Sequence, residues 1–126
     1  MGIDPGTNYM GYGVIEIVDG RPHAVVIGEI DIHKIKDPYE KLRYIFERVR
    51  TLVEEYAPGE VAFESPFFGE NVQSMLKLGR AQGVAIAAAL SARVGITEYA
   101  PTRIKQAITG RGAATKEQVA QMINSI

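Results

Sequence analysis

Apolar and polar residues alternate along the first third of the chain, as they do in half-buried β-strands. The alternation lies in residues 11–18, residues 24–32 form a further strand-like segment, and residues 1–4 form a short apolar segment before the turn Pro5-Gly6-Thr7-Asn8. Asp19-Gly20, between the two longer segments, is a strong signal for a tight hairpin turn. The pattern therefore predicts a meander of three antiparallel strands.

After Asp37-Pro38 the apolar period changes to that of amphipathic helices. Over residues 39–56 apolar side chains recur every three or four positions opposite a charged face, and Ala57-Pro58-Gly59 ends this helix. The remaining predicted elements are a strand over 60–64, a helix over 71–93, a strand over 95–99 and short helices over 101–108 and 115–126. Antiparallel strands followed by alternating helices and strands is the order of the ribonuclease H-like fold. We therefore expect an α/β protein with a five-stranded mixed sheet flanked by helices.

Length and composition favour one domain over residues 1–126. A chain of this size buries a core of its own but hardly two, and 46% hydrophobic with 23% charged residues is ordinary for a soluble protein. The most apolar stretch, residues 83–92, is too short to span a bilayer, so we expect no membrane association and a cytoplasmic location. Because the chain has no cysteine, a metal would have to bind oxygen or histidine.

The net charge of −1 hides a difference between the two halves. Residues 1–65 hold seven Lys and Arg against twelve Asp and Glu, whereas residues 66–126 hold seven against three. The second half is therefore net positive and is the part expected to face phosphates. Its candidate phosphate contacts are Lys77, Arg80, Lys105, Arg111 and Lys116. The alternative for each of them is an ordinary solvated side chain.

Two carboxylates end predicted strands, Asp4 the first and Glu64 the fourth. Open α/β sheets bind their ligands at the carboxyl ends of the strands. Carboxylate oxygens are suitable ligands for Mg²⁺, and pairs of such ions promote phosphodiester cleavage in two-metal sites. The alternative for Asp4 is a simple Asp-Pro-Gly turn, and for Glu64 an ion pair with a lysine or arginine.

The segment Gly2-Ile3-Asp4-Pro5-Gly6-Thr7, followed by Gly11-Tyr12-Gly13-Val14-Ile15, resembles the amino-terminal signature of the RuvC family of crossover junction endodeoxyribonucleases. Further resemblances follow in the family's order, at Glu64, Leu76-Lys77-Leu78-Gly79, Gly83-Val84-Ala85, Glu98-Tyr99-Ala100, Lys105-Gln106 and Gly110-Arg111-Gly112. They span nearly the whole chain. The resemblance implies a metal-dependent nuclease that resolves four-way Holliday junctions in DNA recombination and repair.

The same resemblance implies roles for individual residues. Asp4 and Glu64 would be catalytic ligands of Mg²⁺, with two ions per complete site, Mn²⁺ as a substitute and water as the nucleophile. Phe67 would stack on DNA bases, whereas its neighbour Phe68 is more typical of a core residue. Lys105 and Lys116 would support DNA binding and cleavage.

The resemblance also implies a homodimer and a branch-migration helicase as partners. The family pairs through the second helix, where small residues recur every four positions at Gly79, Gly83 and Ala87. Such a flat face admits the close approach of another helix. The alternative is that this face packs on the sheet of the same chain.

The sequence departs from the family at the carboxyl end. The family completes its site with two more acidic residues, usually aspartates, but no aspartate follows Asp37 here. Glu70, Glu98 and Glu117 match neither of these positions. We therefore expect residues 1–126 to lack the last part of the domain, to bind metal weakly and to cleave poorly.

Two other functions remain open from the sequence. One is a non-catalytic module that binds DNA structures. The other is half of an actin-like or sugar-kinase ATPase, because Asp4-Pro5-Gly6-Thr7 resembles the phosphate loop of those proteins. That reading requires a second, similar loop, and none occurs farther along the sequence.

Overall fold

A computed structural model of the chain describes residues 1–4, 6–64 and 71–99. Its elements, in chain order, are β1 (Gly2–Asp4), β2 (Tyr9–Val18), β3 (Arg21–Asp31), α1 (Pro38–Tyr56), β4 (Glu60–Glu64), α2 (Val72–Ser91) and β5 (Gly95–Tyr99). The strands form a five-stranded mixed sheet in the order β3-β2-β1-β4-β5. The predicted helices over 101–108 and 115–126 lie outside the described residues.

The first three strands form the antiparallel meander that the sequence predicts. The turn between β2 and β3 has positive φ at Asp19 (53°) and Gly20 (74°), as expected for a tight hairpin of this kind. β2 begins at Tyr9, two residues earlier than predicted, because Tyr9 pairs with Asp31 across the ladder. Tyr9 and Asp31 are far apart in sequence, so the local turn signal of residues 5–8 gives no indication of this pairing.

The other half of the sheet is parallel, since β4 pairs with β1 and with β5. α1 and α2 are the connections that parallel strands require. The carboxylate of Asp37 caps α1 by accepting from the backbone N–H groups of Tyr39 and Glu40, and Asn71 caps α2 in the same way. α2 ends at Ser91, two residues before the predicted end.

The hydrophobic core lies between one face of the sheet and the two helices. The strands contribute Ile3, Met10, Ile30, Val61 and Phe63, and the helices contribute Ile45, Val49, Leu52, Val53, Ala81, Ala85, Ala88 and Ala89. Burial of a side chain as large as Phe63 stabilises the fold by about 1.5–3 kcal/mol. Because side chains alternate along a strand, the residues next to Ile3 and Phe63 point to the opposite face. Neither of the described helices is long and apolar enough to cross a membrane.

Candidate active site

Asp4 and Glu64 are brought side by side by the pairing of β1 with β4. The two strands are parallel, with Gly2 opposite Ala62 and Ile3 opposite Phe63. The next residue of each strand is the carboxylate, so Asp4 and Glu64 start from neighbouring positions at the carboxyl edge of the sheet. Adjacent strands are about 4.8 Å apart. The sequence places each carboxylate at a strand end, and the register makes them neighbours.

Both carboxylates lie on the sheet face opposite to α1 and α2, and both are half-buried. Three of the positions beside them on this face carry small residues. Gly11 pairs with Asp4 and Gly13 with Gly2, and Ala62 lies two residues before Glu64 on the same face. A phosphodiester backbone can therefore approach Asp4 and Glu64 without meeting a bulky side chain from these three positions.

The turn that follows Asp4 is held by contacts to the rest of the fold. Gly6 lies so close to the carbonyl oxygen of Tyr9 that any side chain at this position would clash with it. Lys41 Nζ on α1 donates to the carbonyl oxygen of Thr7 at 3.3 Å. The backbone N–H of Ile32 donates to the carbonyl oxygen of Asn8 at 2.9 Å. Residues 6–8 are thus tied to both α1 and the end of β3.

Behind Glu64, the amide of Gln82 reaches from α2 to the sheet. Gln82 is only 6% exposed, and its Nε2 lies 2.8 Å from the backbone oxygen of Glu64 and 3.3 Å from Oε1 of Glu98. Glu98 pairs with Phe63, so its side chain lies on the helix-facing side of the sheet, away from Asp4 and Glu64. Sequence reasoning assigned no role to Gln82. The local sequence shows only a polar residue directly before the most apolar stretch, residues 83–92.

Asp4 and Glu64 are of the ligand type that suits Mg²⁺, but two carboxylates are fewer than a complete site would hold. Carboxylate oxygens are the ligands that this ion prefers, and Asp4 and Glu64 supply them at one edge of the sheet. Within residues 1–4, 6–64 and 71–99, no group of three or more His, Cys, Asp or Glu residues is arranged to hold a metal. Asp4 and Glu64 are therefore two candidate ligands within the described part of the chain.

The predicted DNA contacts divide into two groups. Lys77 and Arg80 are exposed on the first half of α2. Phe67, Phe68, Lys105, Arg111 and Lys116 lie outside the described residues.

The small residues predicted to form a helix-pairing face are exposed on α2. A side chain added at Gly79 or Gly83 would have no neighbour within 4 Å, and Ala87 is also exposed. The same side of the helix carries Val72, Leu76 and Leu90, which are 68%, 60% and 55% exposed. We call these six residues the α2 stripe. It faces away from the core, which α2 contacts through its alanines instead, so among the described residues this face does not pack on the sheet.

The sheet order and the paired carboxylates at its carboxyl edge define a ribonuclease H-like protein. The RuvC crossover junction endodeoxyribonuclease family matches residues 1–126, so the chain belongs to this family. The RuvC crossover junction endodeoxyribonuclease of Bacteroides fragilis is 61% identical over 123 residues, which cover 98% of this chain and 65% of that protein. The chain therefore spans less than two thirds of that relative's length.

Solved structures agree with this family and fold. The structure of Thermus thermophilus RuvC matches with a TM-score of 0.82 and 31% identity, covering 99% of this chain and 77% of that one. T. thermophilus RuvC in complex with a Holliday junction substrate matches with a TM-score of 0.83 and 31% identity, over 98% and 76% of the two chains. The family match favours the nuclease expectation over the ATPase half considered from the sequence.

Proposed function

We propose that this chain is part of a structure-specific DNA endonuclease that resolves four-way Holliday junctions by metal-dependent phosphodiester hydrolysis. The observation that carries the proposal is the placement of Asp4 and Glu64 next to each other on adjacent parallel strands, with the small residues Gly11, Gly13 and Ala62 beside them. Family membership supports it, as does the similarity to T. thermophilus RuvC, a structure of which is a complex with a Holliday junction substrate.

In this mechanism Asp4 and Glu64 are the catalytic metal ligands. Bound Mg²⁺, two ions in a complete site or Mn²⁺ in their place, would activate a water molecule and stabilise the leaving oxygen. The chain's own part is to hold two carboxylates close together, which raises their mutual repulsion and favours a cation between them. The small residues beside Asp4 leave room for the scissile strand.

Residues 1–126 form, in our proposal, one domain without its last part. Two carboxylates bind a divalent ion less tightly than four, so this chain alone is expected to cleave poorly. The proposed DNA contacts are Lys77, Arg80, Lys105, Arg111 and Lys116 at phosphates and Phe67 as a stacking platform for bases. Of these, Lys77 and Arg80 are exposed on α2.

We further propose that two copies pair through the α2 stripe, which includes Gly79, Gly83 and Ala87. A two-fold axis through this stripe would relate two sites, as symmetric cuts in a four-way junction require. A branch-migration helicase as a further partner rests on the family resemblance, and a cytoplasmic location remains an expectation from the hydropathy of the sequence.

The test compares two proteins on a synthetic four-way junction with Mg²⁺. One is this chain, and the other is this chain continued through the acidic carboxyl-terminal segment that the resemblance implies, here called the extended chain. The extended chain should nick opposite strands symmetrically, and its Asp4→Asn variant should bind the junction without cutting it. A linear duplex of the same sequence is the control. Binding without cleavage by the extended chain would contradict the enzyme and favour a non-catalytic DNA-binding module.

A further inference from the structure

Gln82 is the one buried polar residue among those that the structure describes. Its side-chain nitrogen has two hydrogens, and the two acceptors near it are the backbone oxygen of Glu64 and the carboxylate of Glu98. Since both partners are acceptors, the nitrogen and not the oxygen of the amide must face them. Gln82 thus connects α2 to the ends of β4 and β5 at one point.

The contact lies directly behind a candidate metal ligand. Glu64 is the last residue of β4, and its carbonyl group belongs to the peptide plane through which the chain leaves the strand. At 2.8 Å the bond from Gln82 has ordinary hydrogen-bond length, so it fixes the orientation of this plane. The plane is bonded to the Cα atom of Glu64, from which the carboxylate projects. A rotation about the N–Cα bond of Glu64 would move this carbonyl group and the carboxylate together, and the hydrogen bond from Gln82 opposes it.

Glu98, on the neighbouring strand β5, restrains the side-chain amide of Gln82. Its Oε1 atom accepts from Nε2 of Gln82 at 3.3 Å, and β5 is paired with β4 next to this point. Glu98 is exposed, whereas Gln82 is buried. The shorter bond to Glu64 is therefore the main contact, and Glu98 limits rotation of the amide about it.

We propose that Gln82 is a positioning residue, which orients the Glu64 carboxylate for metal binding through the Glu64 carbonyl, with Glu98 holding the amide. This inference rests on the proposed function only in treating Glu64 as a metal ligand. Groups that orient metal ligands without touching the metal contribute strongly to affinity, and their loss typically weakens binding about 10- to 100-fold. The competing explanation is that Gln82 merely joins α2 to the sheet.

The experiment measures Mn²⁺ binding to the extended chain by calorimetry in the absence of DNA. Gln82→Met keeps the length of the side chain and removes both donors, and we expect it to weaken Mn²⁺ binding about tenfold. The Mg²⁺ concentration that gives half-maximal junction cleavage should rise by a similar factor. Junction binding in EDTA should not change, because no metal takes part in it.

Two control variants separate positioning from general destabilisation. Gln73→Met makes the same chemical change on the exposed first turn of α2, where it should alter nothing. Val49→Ala removes core volume on α1 and lowers the Tm, but it should leave Mn²⁺ affinity unchanged because Val49 has no part in the site. Equal loss of Mn²⁺ affinity in Gln82→Met and Val49→Ala at matched Tm would show that Gln82 acts only through stability.

A second variant keeps the test decisive if Gln82→Met does not fold. Glu98→Ala changes an exposed residue and releases one restraint on the amide, so Mn²⁺ binding should weaken in the same direction but less. Unchanged Mn²⁺ affinity in either folded variant overturns the proposal. Glu64→Gln distinguishes this result from failure of the proposed function: if Glu64→Gln also leaves Mn²⁺ binding unchanged, Glu64 is not a metal ligand at all.

Discussion

Asp4 and Gly11 face each other across the antiparallel pair of β1 and β2, so the first candidate metal ligand lies beside a residue with no side chain. A Cβ atom at Gly11 would be 3.8 Å from Cβ of Asp4, an ordinary van der Waals contact. Gly11→Ala should therefore fold and cleave normally. A longer side chain would extend over the carboxylate into the space proposed for the DNA strand.

We accordingly expect Gly11→Leu in the extended chain to reduce single-turnover junction cleavage by at least about tenfold, since small misplacements of reacting groups have effects of this size. Gly11→Ala is the matched control at the same position. Circular dichroism melting curves establish that both variants are folded. Normal cleavage by a folded Gly11→Leu variant would mean that the DNA does not pass over this face.

The α2 stripe makes a prediction about assembly. Leu76→Glu places a charge in the middle of the proposed contact, where it would be desolvated without a partner. The variant should be a monomer by light scattering under conditions in which the parent extended chain is a dimer. Tyr39→Glu is the control, because Tyr39 is even more exposed, at 75%, but lies on α1. If both variants remained dimeric, the subunit contact would lie elsewhere.

Tyr12 and Gly28 form a cross-strand pair that tests the packing of the meander. A Cβ atom at Gly28 would lie 2.6 Å from Oη of Tyr12 and 2.7 Å from its Cζ, so the ring would have to move. Gly28→Ala should lower the free energy of unfolding by about 1–3 kcal/mol, measured by urea denaturation of the extended chain. The cost should shrink in a Tyr12→Leu background, which removes the end of the ring. Equal costs in both backgrounds would contradict this contact.

The pKa of Asp31 predicts a pH effect on stability. The hydrogen bond with the His33 side chain, with a further bond from the His33 backbone N–H, lowers the pKa of Asp31 below its ordinary 3.8. A depressed folded-state pKa contributes stability above the unfolded-state value and loses it as the pH falls through the folded-state value. The extra stability of the parent over Asp31→Asn should therefore be lost in acid, as the pH falls below 3.8 and through the lowered pKa of Asp31. A difference that persisted unchanged in strong acid would contradict the assignment.

Local signals in the sequence predict most of the fold. Asp19-Gly20 marks the hairpin, Asp37-Pro38 marks the start of α1, and the two apolar periods separate strands from helices. These features depend on residues close together in the chain. The early start of β2 at Tyr9 was missed because it depends on pairing with Asp31 in another strand.

The candidate site is predictable only in part for the same reason. The positions of Asp4 and Glu64 at predicted strand ends identify each of them separately. The family resemblance then assigns both to one site. The contact of Gln82 with Glu64 and Glu98 brings together residues 18 and 16 positions apart through the tertiary fold. No local pattern carries that information. The roles proposed for Phe67, Lys105, Arg111 and Lys116 remain predictions from the sequence.

Gln82 and Gly83 are consecutive residues on α2. Gln82 donates to the backbone oxygen of Glu64, whereas Gly83 belongs to the α2 stripe. If two copies associate through the stripe, the helix that meets the partner is the same rigid body that supports the metal ligand. The separation of the two cutting centres would then be set by helix geometry and not by flexible connections. In such a dimer, a shift of α2 at the contact between the two copies would displace both cutting centres together.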